Sequence, residues 1–213
     1  MRGLAFQPNA VLQHRRGHTG MKDLDLLRQW VQESNRMVFF GGAGVSTESG
    51  IPDFRSVDGL YSQKFDYPPE TIISHRFYRE NPEYFFRFYR EKMLPLGFEP
   101  NITHKKLAQW EQEGKLLAVI TQNIDGLHQK AGSRRVYELH GSVLRNYCEK
   151  CGRFYPAEYV KDAAGVPLCR CGGIVKPDVV LYEESLNEKT LADSVSAIEK
   201  ADLFIVAGGT THA

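Results

Sequence analysis

The sequence predicts an α/β fold, in which a parallel sheet carries helices on both faces and a second, smaller module is added. Two observations predict the sheet. Short apolar runs alternate with segments of helical periodicity along the 213 residues. The first apolar run leads into a group of glycines, which is typical of a turn from a strand to a helix. The third observation predicts the small module: all four cysteines fall between Cys148 and Cys171.

The composition is that of a globular protein without a bulk attraction to polyanions. Hydrophobic residues make up 42% and charged residues 25% of the chain, and the formal net charge is +1. This balance argues against partners such as nucleic acid or an anionic membrane. No apolar run approaches the roughly 20 residues that span a bilayer, and the first residues lack the apolar region of a secretory signal. The sequence therefore predicts a cytoplasmic protein.

The first elements follow from local patterns. Residues 1–20 show no helical or strand period and are expected to form a disordered leader. Apolar residues at helical spacing predict a helix from Lys22, and Met37–Phe40 predicts a buried strand. Residues 57–99 are rich in aromatic residues and punctuated by prolines, which predicts a lobe of short helices.

The remaining elements show the same two kinds of apolar spacing. They are a helix over His104–Lys115, a strand over Leu116–Gln122, a short strand within Val136–Ser142, a short strand within Val175–Glu184, a helix over Leu186–Ala201 and a last strand after Ala201. We expect one catalytic domain over residues 21–213. Its parts are a Rossmann-like part at about 21–56, 100–145 and 175–213, the helical lobe at 57–99, and a zinc module at about 146–174.

The turn after the first strand has the chemistry of a phosphate-binding loop. Gly42, Ala43 and Gly44 form a G-x-G pattern, and small residues let a backbone approach a pyrophosphate near helix N-terminal amides. Thr47 occupies the position expected for a third glycine, so the pattern alone is also compatible with a tight strand-to-helix turn.

An acid, an aromatic residue and an arginine follow this loop. Phe54 is suited to cover a nicotinamide ring and to keep water from the reacting ribose carbon. Arg55 is suited to hold a phosphate or a ribose hydroxyl, and Asp53 to orient the loop or the ligand. The alternative is a surface ion pair with a core phenylalanine.

Polar residues also follow the second and third predicted strands. The side chains that follow the second strand can bond ribose hydroxyls and a carboxamide; they are Gln122, Asn123 and Asp125. Taken alone, they are explained slightly better by a polar turn. His140 follows the third strand, where a neutral imidazole suits a general base, and its alternative is a structural hydrogen bond. Because ligands of open α/β sheets bind beyond the carboxyl ends of strands, the three groups together indicate one crevice.

The cysteines have the spacing of a metal site. Cys148 and Cys151 form one close pair, and Cys169 and Cys171 form a second. Two pairs suit tetrahedral Zn²⁺ with four thiolates, which leaves no open position and predicts a structural ion. Disulfides are the first alternative. A nucleic-acid-binding ribbon is the second, but the segment between the pairs has as many acidic as basic residues.

Together these motifs resemble the sirtuin family of NAD-dependent protein deacylases, and in particular its bacterial branch. The segments "GAGVSTESGIPDFRS", "TQNIDGLH", "ELHGS", the two cysteine pairs and "VKPDVVLYEE" occur in the order and spacing of that family. The resemblance runs from about Met21 to Thr210. It implies a Rossmann domain joined to a zinc-and-helix module, with NAD and an acyl-lysine protein or peptide meeting between them.

The resemblance also implies roles for individual residues. His140 and Asn123 would be catalytic, and Val179, Val180, Leu181 and Tyr182 would bind the substrate peptide by strand addition. Structural zinc would be held by Cys148, Cys151, Cys169 and Cys171. The NAD contacts would come from Gly42, Ala43, Gly44, Ser46, Asp53, Phe54, Arg55, Gln122, Asn123, Ile124, Asp125, His140, Gly209 and Thr210.

The activity that the resemblance implies is removal of an acetyl group from lysine. The acyl oxygen attacks the ribose carbon bearing nicotinamide, nicotinamide leaves, and an imidate forms. His140 then activates a ribose hydroxyl, which attacks the imidate carbon. Water completes the transfer, and the products are lysine, nicotinamide and O-acetyl-ADP-ribose. A non-catalytic zinc-binding remnant that binds acyl-lysine peptides and an ADP-ribosyltransferase are the alternatives.

Two departures from the family pattern affect these expectations. Family members that prefer acidic acyl groups carry Tyr-x-x-Arg, whereas Lys92 follows Tyr89 at that spacing, which favours neutral acyl groups.

The second departure is at the carboxyl end. The family continues past its Gly-Thr-Ser turn with a further strand, helix and strand that contact adenosine. Here the chain stops at Ala213. A truncated carboxyl end is therefore expected, with weak NAD binding and an exposed sheet edge.

Overall fold

A computed structural model describes residues 21–53 and 65–209. The expected leader at residues 1–20 lies outside the described residues. The strands are β1 (Met37–Gly41), β2 (Leu116–Thr121), β3 (Val136–Glu138), β4 (Gly141–Cys148), β5 (Phe154–Pro156), β6 (Val175–Val179) and β7 (Leu203–Ala207). The helices are α1 (Met21–Glu33), α2 (Pro69–Ile72), α3 (His75–Glu80), α4 (Pro82–Phe88), α5 (Ile102–Gln112), α6 (Leu127–Lys130), α7 (Ala157–Lys161) and α8 (Glu188–Glu199).

The first sheet is parallel and has the strand order β3-β2-β1-β7. Met37 and Phe39 of β1 pack on one face with Trp30 of α1 and Leu107 of α5. Val38 of β1 packs on the other face, against α8. The predicted sheet with helices on both faces is therefore confirmed.

The start of β7 is fixed beside the start of β1 by one carboxylate. Asp202 accepts the backbone N–H groups of Asn35 and Arg36 at 3.1 and 3.0 Å, and it also accepts the hydroxyl of Ser34. Burial raises the pKa of Asp202, but these hydrogen bonds outweigh burial and the pKa is lowered. Because β1 and β7 run in parallel from this anchor, their far ends finish side by side.

The second sheet is antiparallel, with the order β5-β4-β6. It carries the cysteine segment, for which the sequence predicted a module but no strands. The expected third strand within Val136–Ser142 is divided between β3 and the first two residues of β4. Gly141 makes this division possible because its φ of +76° turns the chain from the first sheet into the second.

The helical lobe and the cysteine module share one hydrophobic core. Edge-to-face ring pairs join Tyr78, Phe85 and Phe86, and Phe85 also stacks on Tyr89. The same core includes module residues such as Val160. The last helix of the lobe, α4, continues into a π-helical turn over Tyr89–Met93.

In the described ranges, none of the helices combines the length and the apolar character that crossing a membrane requires.

Removing one buried ring from the core of the helical lobe should lower the stability of the protein strongly. Replacing Phe86, which is 0% exposed, by alanine should lower the free energy of unfolding by about 3–5 kcal/mol, because the cavity forfeits packing as well as hydrophobic transfer. Urea unfolding measures this change. Phe154→Ala is the matched control, since that ring is 53% exposed. Equal losses in the two variants would contradict the assignment of Phe86 to the core.

Candidate active site

The turn after β1 lies directly against the turn after β7. The N–H of Gly42 donates to the carbonyl of Ala207 at 3.2 Å, and the N–H of Gly44 donates to the carbonyl of Gly208 at 2.8 Å. A Cβ on Gly42 would lie 2.7 Å from the carbonyl oxygen of Gly208. The glycines are therefore required for contact between two loop backbones. Thr47, at the place of the missing third glycine, donates its hydroxyl to the carbonyl of Gly44 at 3.0 Å.

The polar residues after β1 and β2 form a connected cluster. The Ser46 hydroxyl donates to Asp125 Oδ2 at 2.7 Å and accepts from Asn123 Nδ2 at 3.0 Å. Ser46 is 2% and Asn123 is 8% exposed. Asp125 Oδ1 accepts the N–H of Leu127 at 2.9 Å, which fixes the carboxylate at the start of α6. The predicted convergence of these strand ends is thus observed.

Polar residues outside the predicted set of NAD contacts adjoin this cluster. Asn101 caps α5 through its side-chain oxygen and donates Nδ2 to the carbonyl of Val45 at 2.7 Å. His104 and His128 are buried with ring centroids 4.7 Å apart, and burial lowers the pKa of both. The signal that could have identified Asn101 is its position before a helical pattern, where asparagine is a preferred N-cap.

His140 lies between the two sheets, and its tautomer follows from its contacts. Its Nδ1 is 3.0 Å from the carbonyl oxygen of Gln122. Because a carbonyl only accepts, Nδ1 carries the proton, and the lone pair of the neutral ring is on Nε2. Burial lowers the pKa of His140 and outweighs the opposing effect of the bond to Gln122. The side chain is therefore a neutral base near pH 7.

The segment after β6 connects His140 to the helical lobe. The N–H of Val180 donates to the carbonyl of His140 at 3.0 Å, and the N–H of Tyr182 donates to the carbonyl of Ile73 at 3.0 Å. Glu184 accepts the N–H of Leu181 at 2.9 Å, which closes a turn at the end of the segment. The expected substrate strand thus runs from His140 to the lobe, and a groove of about 360 Å³ opens beside the half-exposed Tyr182.

The four cysteine sulfurs form a cluster that fits zinc. All four lie within 4.8 Å of one another, and the pairs Cys148–Cys171 and Cys151–Cys169 are 3.4 and 3.6 Å apart. A tetrahedron with Zn–S bonds of about 2.3 Å has edges of about 3.8 Å, whereas a disulfide is about 2.05 Å long. All four are free cysteines, so the disulfide alternative is not supported.

A tyrosine supports one of the sulfur ligands. Tyr155 donates its hydroxyl to the sulfur of Cys169 at 3.1 Å. The backbone amide of Cys171 and this hydroxyl lower the pKa of Cys169 to about 6. Cys169 is thereby prepared as a thiolate, which is the form that binds zinc.

Most of the predicted contact residues fall at the same edge of the first sheet. Ile124 accepts the N–H of Val143 at 3.0 Å, and Gly209 follows Gly208 in the loop against Gly42. Asp53 is half-buried at the end of the first described range. Phe54, Arg55 and Thr210 lie outside the described residues.

The arrangement fits a dinucleotide. The carboxyl ends of parallel strands β1, β2 and β7 meet there, and small residues leave the backbone accessible. The buried amide of Asn123 and carboxylate of Asp125 supply donors and acceptors for ribose and carboxamide groups.

Comparisons with known proteins agree with this geometry. A sequence model described as the Sir2 family matches residues 42–213. A protein of Clostridium acetobutylicum named NAD-dependent protein deacetylase is 58% identical over 189 residues, covering 87% of this chain and 77% of that protein. A protein of the same name from Clostridium perfringens is 53% identical over 191 residues, covering 88% of this chain and 78% of that protein.

Solved structures show the same likeness. A Sir2 complex with a p53 peptide and NAD⁺ is 40% identical in sequence and has a TM-score of 0.76. The match covers 87% of this chain and 75% of the Sir2 chain. A mutant Sir2 homologue bound to ADP ribose is 36% identical in sequence and has a TM-score of 0.81. The match covers 89% of this chain and 76% of the homologue.

The contact between the two glycine loops predicts sensitivity to a single methyl group. Gly42→Ala should lower NAD affinity at least about tenfold, because the new Cβ meets backbone and forces the loops apart. Calorimetric titration with NAD measures the effect. Gly165→Ala is the control, since its Cβ would have no atom within 4 Å. Parent-like affinity in Gly42→Ala would show that the loops do not form the NAD site.

The tyrosine beside Cys169 predicts a measurable effect on zinc retention. Tyr155→Phe should lower zinc affinity about 10–100-fold, because outer-shell hydrogen bonds orient metal ligands. Competition with a colorimetric chelator measures this. Tyr147→Phe is the control from the same sheet, because its exposed ring packs edge-to-face on Phe154. Equal zinc affinities for the two variants would contradict the assigned role.

Proposed function

This chain belongs to the Sir2 family, and we propose that His140 is the general base and Asn123 the second catalytic residue of its reaction. The protein is a NAD-dependent protein deacetylase that acts on acetylated lysines. Its products are free lysine, nicotinamide and O-acetyl-ADP-ribose. The observation that carries the proposal is the fixed tautomer of His140, with Nδ1 on a carbonyl and Nε2 as the base.

The proposed mechanism assigns a separate task to each group of residues. When bound, NAD supplies the ribose carbon that releases nicotinamide and the ribose hydroxyl that receives the acetyl group. His140 Nε2 accepts the proton of that hydroxyl, and the carbonyl of Gln122 holds the ring in the required tautomer. Asn123 and Asp125, fixed through Ser46, orient the ribose and the carboxamide. The burial of Ser46 and Asn123 shields their hydrogen bonds from competing water, which keeps these orienting groups in place.

We propose that the substrate peptide binds alongside the segment Val179–Tyr182. Val180 is bonded to the carbonyl of His140, so a peptide on this segment would place its lysine next to the base. Strand addition uses main-chain hydrogen bonds and accepts many sequences. This mode suits an enzyme whose substrates are different acetylated proteins.

Neutral acyl groups are the proposed substrates. The ring of Tyr89 is 0% exposed, stacks on Phe85, and has its hydroxyl inside the lobe core. Lys92 lies over the ring of Phe65, with its ammonium 5.7 Å from the ring centroid. Tyr89 and Lys92 therefore do not present a joint site for a carboxylate, which supports acetyl over acidic acyl groups.

The location in the cell and the division into parts are also proposals. Four unpaired cysteines arranged for a metal are typical of a reducing compartment, which supports a cytoplasmic protein. We propose the Rossmann-like part at about 21–56, 100–145 and 175–213, with the lobe and the zinc module as its additions. The three hydrophobic cores support this division, because two lie on the faces of the parallel sheet and the third joins the lobe to the module.

The proposed base predicts loss of activity in one variant and a particular pH dependence. His140→Ala should lower kcat for an acetyl-lysine peptide about 10²–10⁴-fold. The base acts only when neutral, and its pKa lies below the ordinary 6.5. The parent rate should therefore reach its plateau at a lower pH than an ordinary histidine would allow, and it should fall as the pH drops through the lowered pKa. Mass spectrometry of the peptide with and without NAD measures both effects.

The same experiment separates the alternatives. The residual rate of His140→Ala should not decrease as the pH drops through the His140 pKa, because the titrating imidazole has been removed. Undiminished turnover by His140→Ala would rule out His140 as the base. Transfer of label from NAD to protein without loss of acetyl would identify an ADP-ribosyltransferase, and a folded, zinc-loaded parent without turnover would identify a non-catalytic binding protein.

A further inference from the structure

Three charged side chains meet where the two sheets join. The guanidinium of Arg145 donates from Nη1 to Glu138 Oε2 at 2.6 Å and from Nε to Asp178 Oδ2 at 2.8 Å. Glu138 ends β3 in the parallel sheet, whereas Arg145 and Asp178 belong to β4 and β6 of the antiparallel sheet. The Arg145 side chain therefore connects the parallel sheet to the antiparallel sheet through its bond to Glu138.

This triad flanks the segment that carries the catalytic base. Glu138 precedes His140 by two residues, and Asp178 precedes Val180 by two residues. Val180 in turn donates its N–H to the carbonyl of His140 at 3.0 Å. A shift of β6 relative to β3 would therefore change the position of the His140 ring relative to the segment that receives the peptide.

The contacts of Arg145 are directional and partly buried. The Glu138 side chain is 7% exposed, and that of Arg145 is 37% exposed. Burial lowers the pKa of Arg145, but the bonds to Glu138 and Asp178 outweigh burial and raise it, so the guanidinium stays charged. Arginine offers N–H donors in fixed directions, whereas lysine offers a single ammonium that cannot reproduce two divergent bonds.

On the basis of the proposed role of His140, we propose that Arg145 is a positioning residue for deacetylation. By binding Glu138 and Asp178 together, it holds the imidazole of His140 at a fixed position relative to the peptide-binding segment Val179–Tyr182. It acts through His140 and does not touch the reacting atoms.

The test compares Arg145→Lys with Arg79→Lys. Arg79 pairs with Glu149 at 3.3 Å, and this pair connects α3 to the cysteine module. A second variant, Arg145→Gln combined with Glu138→Gln, removes the guanidinium without leaving a buried unpaired carboxylate. The measurements are kcat and KM for an acetyl-lysine peptide at saturating NAD, the thermal unfolding midpoint, and the His140 pKa from proton–carbon NMR of the enzyme without NAD. Comparison with His140→Ala assigns the resonance.

We expect Arg145→Lys to lower kcat about 10–100-fold, because small displacements of a catalytic group have effects of that size. The unfolding midpoint should stay close to that of the parent. The His140 pKa should rise toward its ordinary value, because a less constrained ring gains water. The double variant should show the same loss of kcat, and Arg79→Lys should match the parent in every measurement.

Unchanged kcat and His140 titration in both Arg145 variants would overturn the positioning role, even if the unfolding midpoint fell. A lower kcat with an unshifted His140 pKa would also overturn it, since the effect would then not pass through His140. Deacetylation by His140→Ala at the parent rate would instead overturn the proposed function. These failures are distinguishable because His140→Ala is measured beside the Arg145 variants.

Discussion

The geometry of the catalytic region depends on the close approach of two backbones at Gly141. A Cβ at this position would lie 1.9 Å from the carbonyl oxygen of Asp178, and the φ of +76° is unfavourable for any side chain. Only glycine lets β6 lie this close to the start of β4. Since His140 immediately precedes this contact, the proposed base is held where a parallel sheet changes into an antiparallel one.

Local signals in the sequence predicted the parts of the fold that depend on neighbouring residues. The apolar runs of β1, β2 and β7, the helical periodicity of α5 and α8 and the cysteine pairs each specify their own element. The observed ends differ from the predicted ones by a few residues. For α5, the helix begins at Ile102 because Asn101 caps it, while the prediction began at His104.

Contacts between distant residues could not be predicted in this way. The central strand β4 takes its register from β5 on one side and β6 on the other, and its apolar pattern is interrupted by the buried residues Asn146 and Cys148. Asn101, His104 and Arg145 belong to none of the quoted motifs, and their contacts join residues far apart in the chain. The strand-end residues were predictable because parallel strands bring their carboxyl ends together whatever their register.

The core shared by the lobe and the cysteine module has a consequence for synthesis on the ribosome. His75 at the start of α3 contacts Glu184, which is 109 positions later in the chain. At a translation rate of about 5–20 residues per second, the aromatic faces of α3 and α4 wait roughly 5–20 s for their partners. During that time the nascent chain exposes an apolar surface of the kind that makes incompletely folded chains prone to aggregation. The architecture that joins the lobe to the cysteine module therefore lengthens the period in which this surface is uncovered during synthesis.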